Sequence, residues 1–291
     1  MRLVACTSVL NEEDYIWYVL KSVSTVVDLH IIVEGSCWFS DRYDLKTGCS
    51  VDRTSEIIHD FISSGSLGSS QIVYIKVGHL PKEKFVRQYY AKYLNEGDVY
   101  FSIDADCVWH PEDIQRVYTL FKENPEDIEG AFANRLTFWQ DFRHLLVSGE
   151  DITSARFIPM VIWHGGYGFT NVGTLKDKNN DNVFHAFRIK NKIIDIDLDC
   201  YHYGWVRMKE KHLEKRMQTL KRFRDTADGS PKFAYLKNMN DDDLRGEAFF
   251  QGKMFTDEYD RDEKVVKFKG CHPKVMKCHP WYNKLRKDFD Y

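Results

Sequence analysis

Gly97-Asp98-Val99-Tyr100-Phe101-Ser102-Ile103-Asp104-Ala105-Asp106 decides the reading of this chain. Five residues, Val99 to Ile103, are apolar or small and include two aromatics, which suits a buried strand. Two carboxylates two positions apart follow at once. At a strand end, such a pair bends around one hard cation. Oxygen ligands suit magnesium or manganese, and these ions bridge readily to substrate phosphates. A solvated turn after a strand is the bland alternative for the same triplet.

Upstream, the pattern alternates. Residues 2–9 read as a buried strand, and Asn11-Glu12-Glu13-Asp14 predicts the start of a helix running to about Val26, with its acids favoured by the helix dipole. Residues 29–34 and 71–77 read as strands, 54–63 and 82–94 as helices, and 35–53 as a loop. Strand and helix in alternation predict a parallel sheet with helices on both faces. Ligands bind beyond the carboxyl ends of such strands, where Thr7, Glu34 and Asp104 fall.

Downstream, residues 112–124 read as a helix and 131–138 as a strand. Residues 139–190 read as short strands and loops, 193–198 as a strand leading to His202, and 207–224 as a basic helix. The tail beyond about 250 reads as an ordered wrap around the body.

The composition is that of a globular protein, with 43% hydrophobic and 29% charged residues. No apolar run approaches the roughly 18–20 residues of a membrane span, and the N-terminus lacks the pattern of a secretory signal. Seven scattered cysteines form no disulfide framework, and Cys271-His272 and Cys278-His279 fit no common zinc spacing. A cytoplasmic protein is therefore expected. The net charge of −3 is uneven: residues 205–225 hold eight Lys and Arg against three acids, and residues 264–287 hold eight against none. A basic C-terminal third predicts a polyanionic partner or a solvated helical face.

Five motifs in order resemble the GT-A glycosyltransferases, most of all the family-2-like enzymes. They are Thr7-Ser8-Val9-Leu10-Asn11-Glu12, Val33-Glu34-Gly35, Ser50-Val51-Asp52-Arg53-Thr54, Arg87-Gln88 with Ala91, and the segment from Gly97 to Asp106. The resemblance covers about residues 1–110 and is weaker to 205. It departs in a long loop from Ser36 to Ser50 and in Gln88, where the family has Asn. It implies a GT-A, Rossmann-like α/β fold with a mostly parallel central sheet. The catalytic domain would span 1–205, with a nucleotide-sugar half at 1–110 and an acceptor half at 111–205. A basic helical extension would occupy 206–291.

The resemblance implies that Thr7, Ser8, Asn11, Glu34 and Asp52 line a base and ribose pocket. Arg87 would approach the diphosphate or steady Asp104, and Asp104 and Asp106 would hold Mn2+ or Mg2+. His202 is the candidate third ligand, and Arg207 and Lys211, one helical turn apart, are candidates for the diphosphate. An inverting reaction needs a carboxylate base, for which Asp141, Glu150 and Asp151 are candidates; a retaining reaction needs none. Trp163, His164 and Tyr167, in a Gly-rich turn, are candidate acceptor contacts, although large aromatics are more often core.

The expected activity is sugar transfer from a nucleotide-diphosphate sugar, with a UDP-sugar favoured, to a hydroxyl. The acceptor is a surface or lipid-linked glycan, or a hydroxymethylated pyrimidine in DNA of the kind some phage enzymes modify. A nucleotidyltransferase is the alternative enzyme, disfavoured because residues 5–14 contain no Gly, Lys or Arg. A non-catalytic nucleic-acid-binding module would have no need of Asp104 and Asp106 together.

Overall fold

In the computed structural model, residues 1–37, 40, 42–65, 70–148, 155–164, 167–169, 175–176, 192–207, 211, 217, 221 and 263–282 are described. The first half alternates as its sequence predicts: β1 (Leu3–Val9), α1 (Ile16–Val23), β2 (Leu29–Glu34), α2 (Thr54–Ser63), β3 (Gln71–Lys76), α3 (Glu83–Ala91) and β4 (Val99–Asp104). The strands β3, β2, β1 and β4 lie side by side and all run parallel.

Period-two patterning sorts the side chains of these strands. Leu3, Ala5, Val99, Phe101 and Ile103 face a core shared with Val19 and Val23 of α1. The same core takes in Ile114, Val117 and Phe121 of α4 (Pro111–Glu123). Val4, Cys6 and Tyr100 face the other way and pack on Val86 and Tyr90 of α3. A third cluster joins Ile16 and Leu20 of α1 to Ile58 and Phe61 of α2, over Ile32. Helices thus cover both faces. Each fully buried Leu, Ile or Phe contributes roughly 1.5–3 kcal/mol.

Beyond β4 the sheet changes character. β5 (Cys107–Val108), β6 (Gly130–Trp139), β7 (His144–Ser148) and β8 (Ala155–Ile162) follow. The path continues β4-β8-β6-β7, and each of these neighbours is antiparallel. β9 (Gly168–Phe169) and β10 (Leu175–Lys176) form a separate two-stranded ribbon. β11 (Ile193–Trp205) runs parallel to β6 and antiparallel to β5. β12 (Glu263–Lys267) closes the edge beside β7. The expectation of a mostly parallel sheet therefore holds for the first four strands, and the whole sheet is mixed.

Two boundaries differ from their sequence readings. α1 begins at Ile16 and has no acid in its first turn, because Glu12, Glu13 and Asp14 are drawn into ion pairs with the C-terminal half. The strand expected at 193–198 runs on to Trp205, so His202 lies within β11. Most of the expected basic helix at 207–224 lies outside the described residues. Within the tail, β12 and a 3-10 turn at Lys274–Cys278 are described, and Met276 is buried in the core. Among the described residues no helix is long and apolar enough to cross a membrane.

Candidate active site

Asp104 ends β4, and Asp106 lies just before β5. Ligand atoms of Asp104, Asp106 and Cys107 lie within 4.8 Å of one another. Asp104 is half-exposed, whereas Asp106 is buried. β5 pairs with β11 so that His202 stands opposite Cys107, which brings His202 Nε2 to 3.6 Å from Asp106 Oδ1. On its other side, His202 Nδ1 is 3.5 Å from Thr137 Oγ1. Of the three residues read as metal ligands, Asp104 and Asp106 group with Cys107, and His202 stands beside Asp106. Cys107 adds a thiol whose ionisation is pushed well up by burial and by its hydrogen bond with Cys200. Two carboxylates and an imidazole make a hard-to-intermediate donor set that fits Mn2+ or Mg2+.

Each aspartate also meets a guanidinium. Arg135 Nη2 donates to Asp104 Oδ2 at 3.0 Å. Arg207 is 3% exposed and places Nη2 3.6 Å from Asp106 Oδ2. Burial works against the Arg207 charge, but Glu12 and Asp106 more than offset it and hold its pKa above the ordinary value. Arg207 also pairs with Glu12 and lies 3.7 Å from Asp14. Lys211 Nζ meets Glu13 at 2.5 Å and Asp14 at 3.2 Å. Arg207 and Lys211 therefore face the acidic turn after β1, and Arg207 also reaches Asp106.

The residues expected around a nucleoside fall into two groups. Asn11 adopts φ +54 and stitches its turn to the following loop. It accepts from Val51 N–H at 2.9 Å and donates to the Arg42 carbonyl at 2.6 Å. Asp52 accepts from the N–H and hydroxyl of Thr54 and from Glu13 N–H. Both sit on the rim beyond β1 and β2. Ser8, half-buried, bonds to the Tyr90 hydroxyl.

Thr7 and Glu34 are enclosed. Thr7 is fully buried against His30 Nε2 at 2.9 Å, so its side chain turns into the sheet and away from the rim. Glu34 accepts from Ser50 N–H, the Ser55 hydroxyl and the Tyr74 hydroxyl. Burial would raise its pKa, but these hydrogen bonds win and hold the carboxyl below the usual range. Glu34 thereby anchors the long loop to the end of β2. Gly48 locks the same loop: a Cβ there would meet His79 N at 2.1 Å, closer than any side chain allows.

Arg87 is held by Glu83 at 2.8 Å and reaches Ser102 Oγ at 3.4 Å, two residues before Asp104. Burial works against its charge, and Glu83 leads the groups that raise its pKa, Asp104 among them. Asp141 is 8% exposed and accepts from Arg143 N–H and from His144 at N and Nδ1. Glu150 and Asp151 lie outside the described residues. Trp163 is 5% exposed and packs on Tyr100, Tyr167 and Phe169. It is a core residue, while His164 and Tyr167 are half-buried beside it, their rings 5.5 Å apart.

Arg135 and Thr137 escaped the sequence reading, which took Glu12 only as part of a helix start and of the first motif. Arg135 had one available signal, a cation inside the apolar run 131–138. The Cys-His-Pro repeats have a structural use. His272 accepts from the Tyr203 hydroxyl and donates to the Phe142 carbonyl, each at 2.7 Å. His279 stacks on Tyr15. Both cysteines are exposed while both histidines are buried.

No protein-family model and no curated protein matches the chain. Among solved structures, it is similar to the crystal structure of S. aureus TarS 1–349, with a TM-score of 0.44 and 12% identity, covering 87% of this chain and 92% of that one. It is similar to the crystal structure of a mycobacterial protein, with a TM-score of 0.43 and 14% identity, covering 77% and 74%. A further likeness is to glucosyl-3-phosphoglycerate synthase from Mycobacterium tuberculosis in complex with Mn2+, uridine diphosphate and glucosyl-3-phosphoglycerate. There the TM-score is 0.31 and the identity 20%, covering 47% of this chain and 44% of that one.

Proposed function

We propose that this chain is a divalent-cation-dependent glycosyltransferase that moves a sugar from a nucleotide-diphosphate sugar, with UDP-sugars favoured, to an acceptor hydroxyl. One observation carries the reading: Asp104 and Asp106 converge at the end of β4, with His202 Nε2 3.6 Å from Asp106. Asp104, Asp106 and His202 would hold the cation. When bound, a divalent cation neutralises the charge that grows on a departing nucleoside diphosphate.

The other residues act around that step. Asn11 and Asp52 shape the rim where the nucleoside would rest, beyond the carboxyl ends of β1 and β2. Ser8, Glu34 and Arg87 support that rim and β4 from within. Arg207 and Lys211 are the candidates for the donor diphosphate, and both are paired with carboxylates of the turn after β1. An acceptor hydroxyl loses a proton as its bond to the anomeric carbon forms. Asp141, Glu150 and Asp151 are the candidate bases for an inverting course. The Trp163 backbone bonds to Gly97 and Asp98 at the start of β4, so His164 and Tyr167, expected as acceptor contacts, stand at the end of that strand opposite Asp104.

The acceptor reading rests on the basic C-terminal third, and the candidates are a glycan and a hydroxymethylated pyrimidine in DNA. The test incubates the protein with a panel of nucleotide-sugars, Mn2+ or Mg2+, glycan acceptors and hydroxymethylated DNA, followed by mass spectrometry. Transfer that disappears in Asp106→Asn supports the reading. A folded protein that neither transfers nor hydrolyses any nucleotide-sugar overturns it.

A further inference from the structure

Arg135 stands on β6 with Cys200 of β11 and Ala155 of β8 as its Cα partners. Its guanidinium carbon lies 4.8 Å from the Phe157 ring centroid, and its Nη2 donates to Asp104 Oδ2 at 3.0 Å. Both side chains of this pair reach solvent, Arg135 at 30% and Asp104 at 44%. Arg207, which approaches the other aspartate, is also matched by Glu12 and Asp14. Arg135 instead meets the triplet at its exposed carboxylate, the one an incoming cation reaches first.

A cation on Asp104 and a guanidinium on the same carboxylate repel each other. The repulsion weakens cation binding as long as no anion lies between them. A diphosphate supplies that anion. The planar guanidinium fork matches phosphate oxygens as well as it matches a carboxylate.

We propose that Arg135 is a positioning residue that couples cation and diphosphate binding. It neutralises Asp104 when no diphosphate is present and turns to the diphosphate when the donor arrives, leaving Asp104 to the cation. This inference rests on the reading of Asp104 and Asp106 as cation ligands for a nucleotide-diphosphate donor. It adds the mechanism by which the two bind together.

The test is Mn2+ binding followed by electron paramagnetic resonance, without anion, with UDP, and with inorganic pyrophosphate as a probe that has no base. The proteins are the wild type, Arg135→Met, Arg135→Gln, Arg135→Lys and Asp106→Asn. In the wild type, UDP or pyrophosphate is expected to tighten Mn2+ about tenfold or more. Arg135→Met and Arg135→Gln should bind Mn2+ alone several-fold more tightly than the wild type, and the effect of the anion should shrink severalfold. Arg135→Lys keeps the charge and should bind Mn2+ alone like the wild type.

A residue that merely tethers Asp104 gives the opposite sign, because losing the tether loosens Mn2+. If the neutral variants bind Mn2+ alone no more tightly than the wild type, the inference is overturned. Arg135→Gln retains a donor for Asp104 and serves if Arg135→Met does not fold. If wild-type Mn2+ binding is absent or insensitive to Asp106→Asn, the glycosyltransferase reading fails and takes this inference with it. Failure confined to the Arg135 variants leaves that reading standing.

Discussion

Arg207 Nη2 lies 3.6 Å from Asp106 Oδ2 and pairs through the same nitrogen with Glu12. Arg207, two residues beyond the end of β11, thus closes a charge cluster begun just after β1. A guanidinium buried among Glu12, Asp14 and Asp106 joins the ends of three strands.

Arg207→Met leaves those carboxylates in a buried place without their counter-charge. The expected cost is about 3–5 kcal/mol of stability, the usual result of breaking a buried pair by removing one partner. Denaturant unfolding measures it. Adding Glu12→Gln to Arg207→Met should recover part of the loss, since one unpaired charge is then gone.

Asp104→Asn and Asp106→Asn should lower transfer at least about a hundredfold, because each removes a charged ligand for the cation that stabilises the leaving group. Thr137→Val is a finer probe. Thr137 Oγ1 lies 3.5 Å from His202 Nδ1, and losing a partner that orients a ligating histidine typically costs about 10–100-fold in metal affinity. Unchanged Mn2+ affinity in Thr137→Val would remove His202 from the ligand set or Thr137 from its support.

Asn11 combines φ +54 with two side-chain hydrogen bonds to the 42–51 loop. Asn11→Ala forfeits both bonds and places alanine in the left-handed region. The expected cost is about 2–5 kcal/mol, from about 0.5–1.5 for each bond and about 1–2 for the backbone. Asn11→Gly loses the bonds without the backbone strain and should lie between alanine and wild type. Equal stability of the two variants in chemical denaturation would show that the strain is negligible.

Two buried histidines make the fold sensitive to mild acid. Burial pushes His272 down to about 4 and His30 down to about 3. An unfolded histidine takes its proton near 6.5, so below that pH the unfolded chain binds protons that the folded chain refuses. The stability these neutral rings allow is complete above pH 6.5 and falls as the pH drops towards 4. Each contributes a slope of up to about 1.4 kcal/mol per pH unit. His272→Gln should flatten the decline between pH 6.5 and 4; an unchanged slope would show that folded His272 takes its proton where the unfolded histidine does.

Much of the fold was legible because its signals are local. The apolar run at Val99–Ile103 followed by Asp104 and Asp106 reads as a strand ending in two carboxylates, and β4 ends at Asp104. α4 shows its start plainly, with Pro111 in its first turn and Glu112 and Asp113 beside it. The acidic turn at 12–14 misled for an equally physical reason. Acids before an apolar stretch suit a helix dipole, yet here they answer Arg207 and Lys211, which are remote in sequence.

The antiparallel half was harder to read. β6, β8 and β11 carry short apolar runs whose partners depend on pairing across the sheet, and pairing leaves no mark within one strand. Arg135 looks like an isolated cation in such a run until β6 is laid near β4. Thr7 shows the converse: it stands near a strand end that invites a ligand, and packing takes its side chain inward.

The chain alone specifies the alternating strands and helices of its first half and the carboxylate pair that ends β4, because periodicity and strand ends are properties of neighbouring residues. Tertiary structure decides which charges meet: His202 beside Asp106, Arg135 on Asp104, and Arg207 between Glu12 and Asp106. Those meetings depend on β11 lying between β5 and β6. Coulomb forces act across space whatever the separation along the chain.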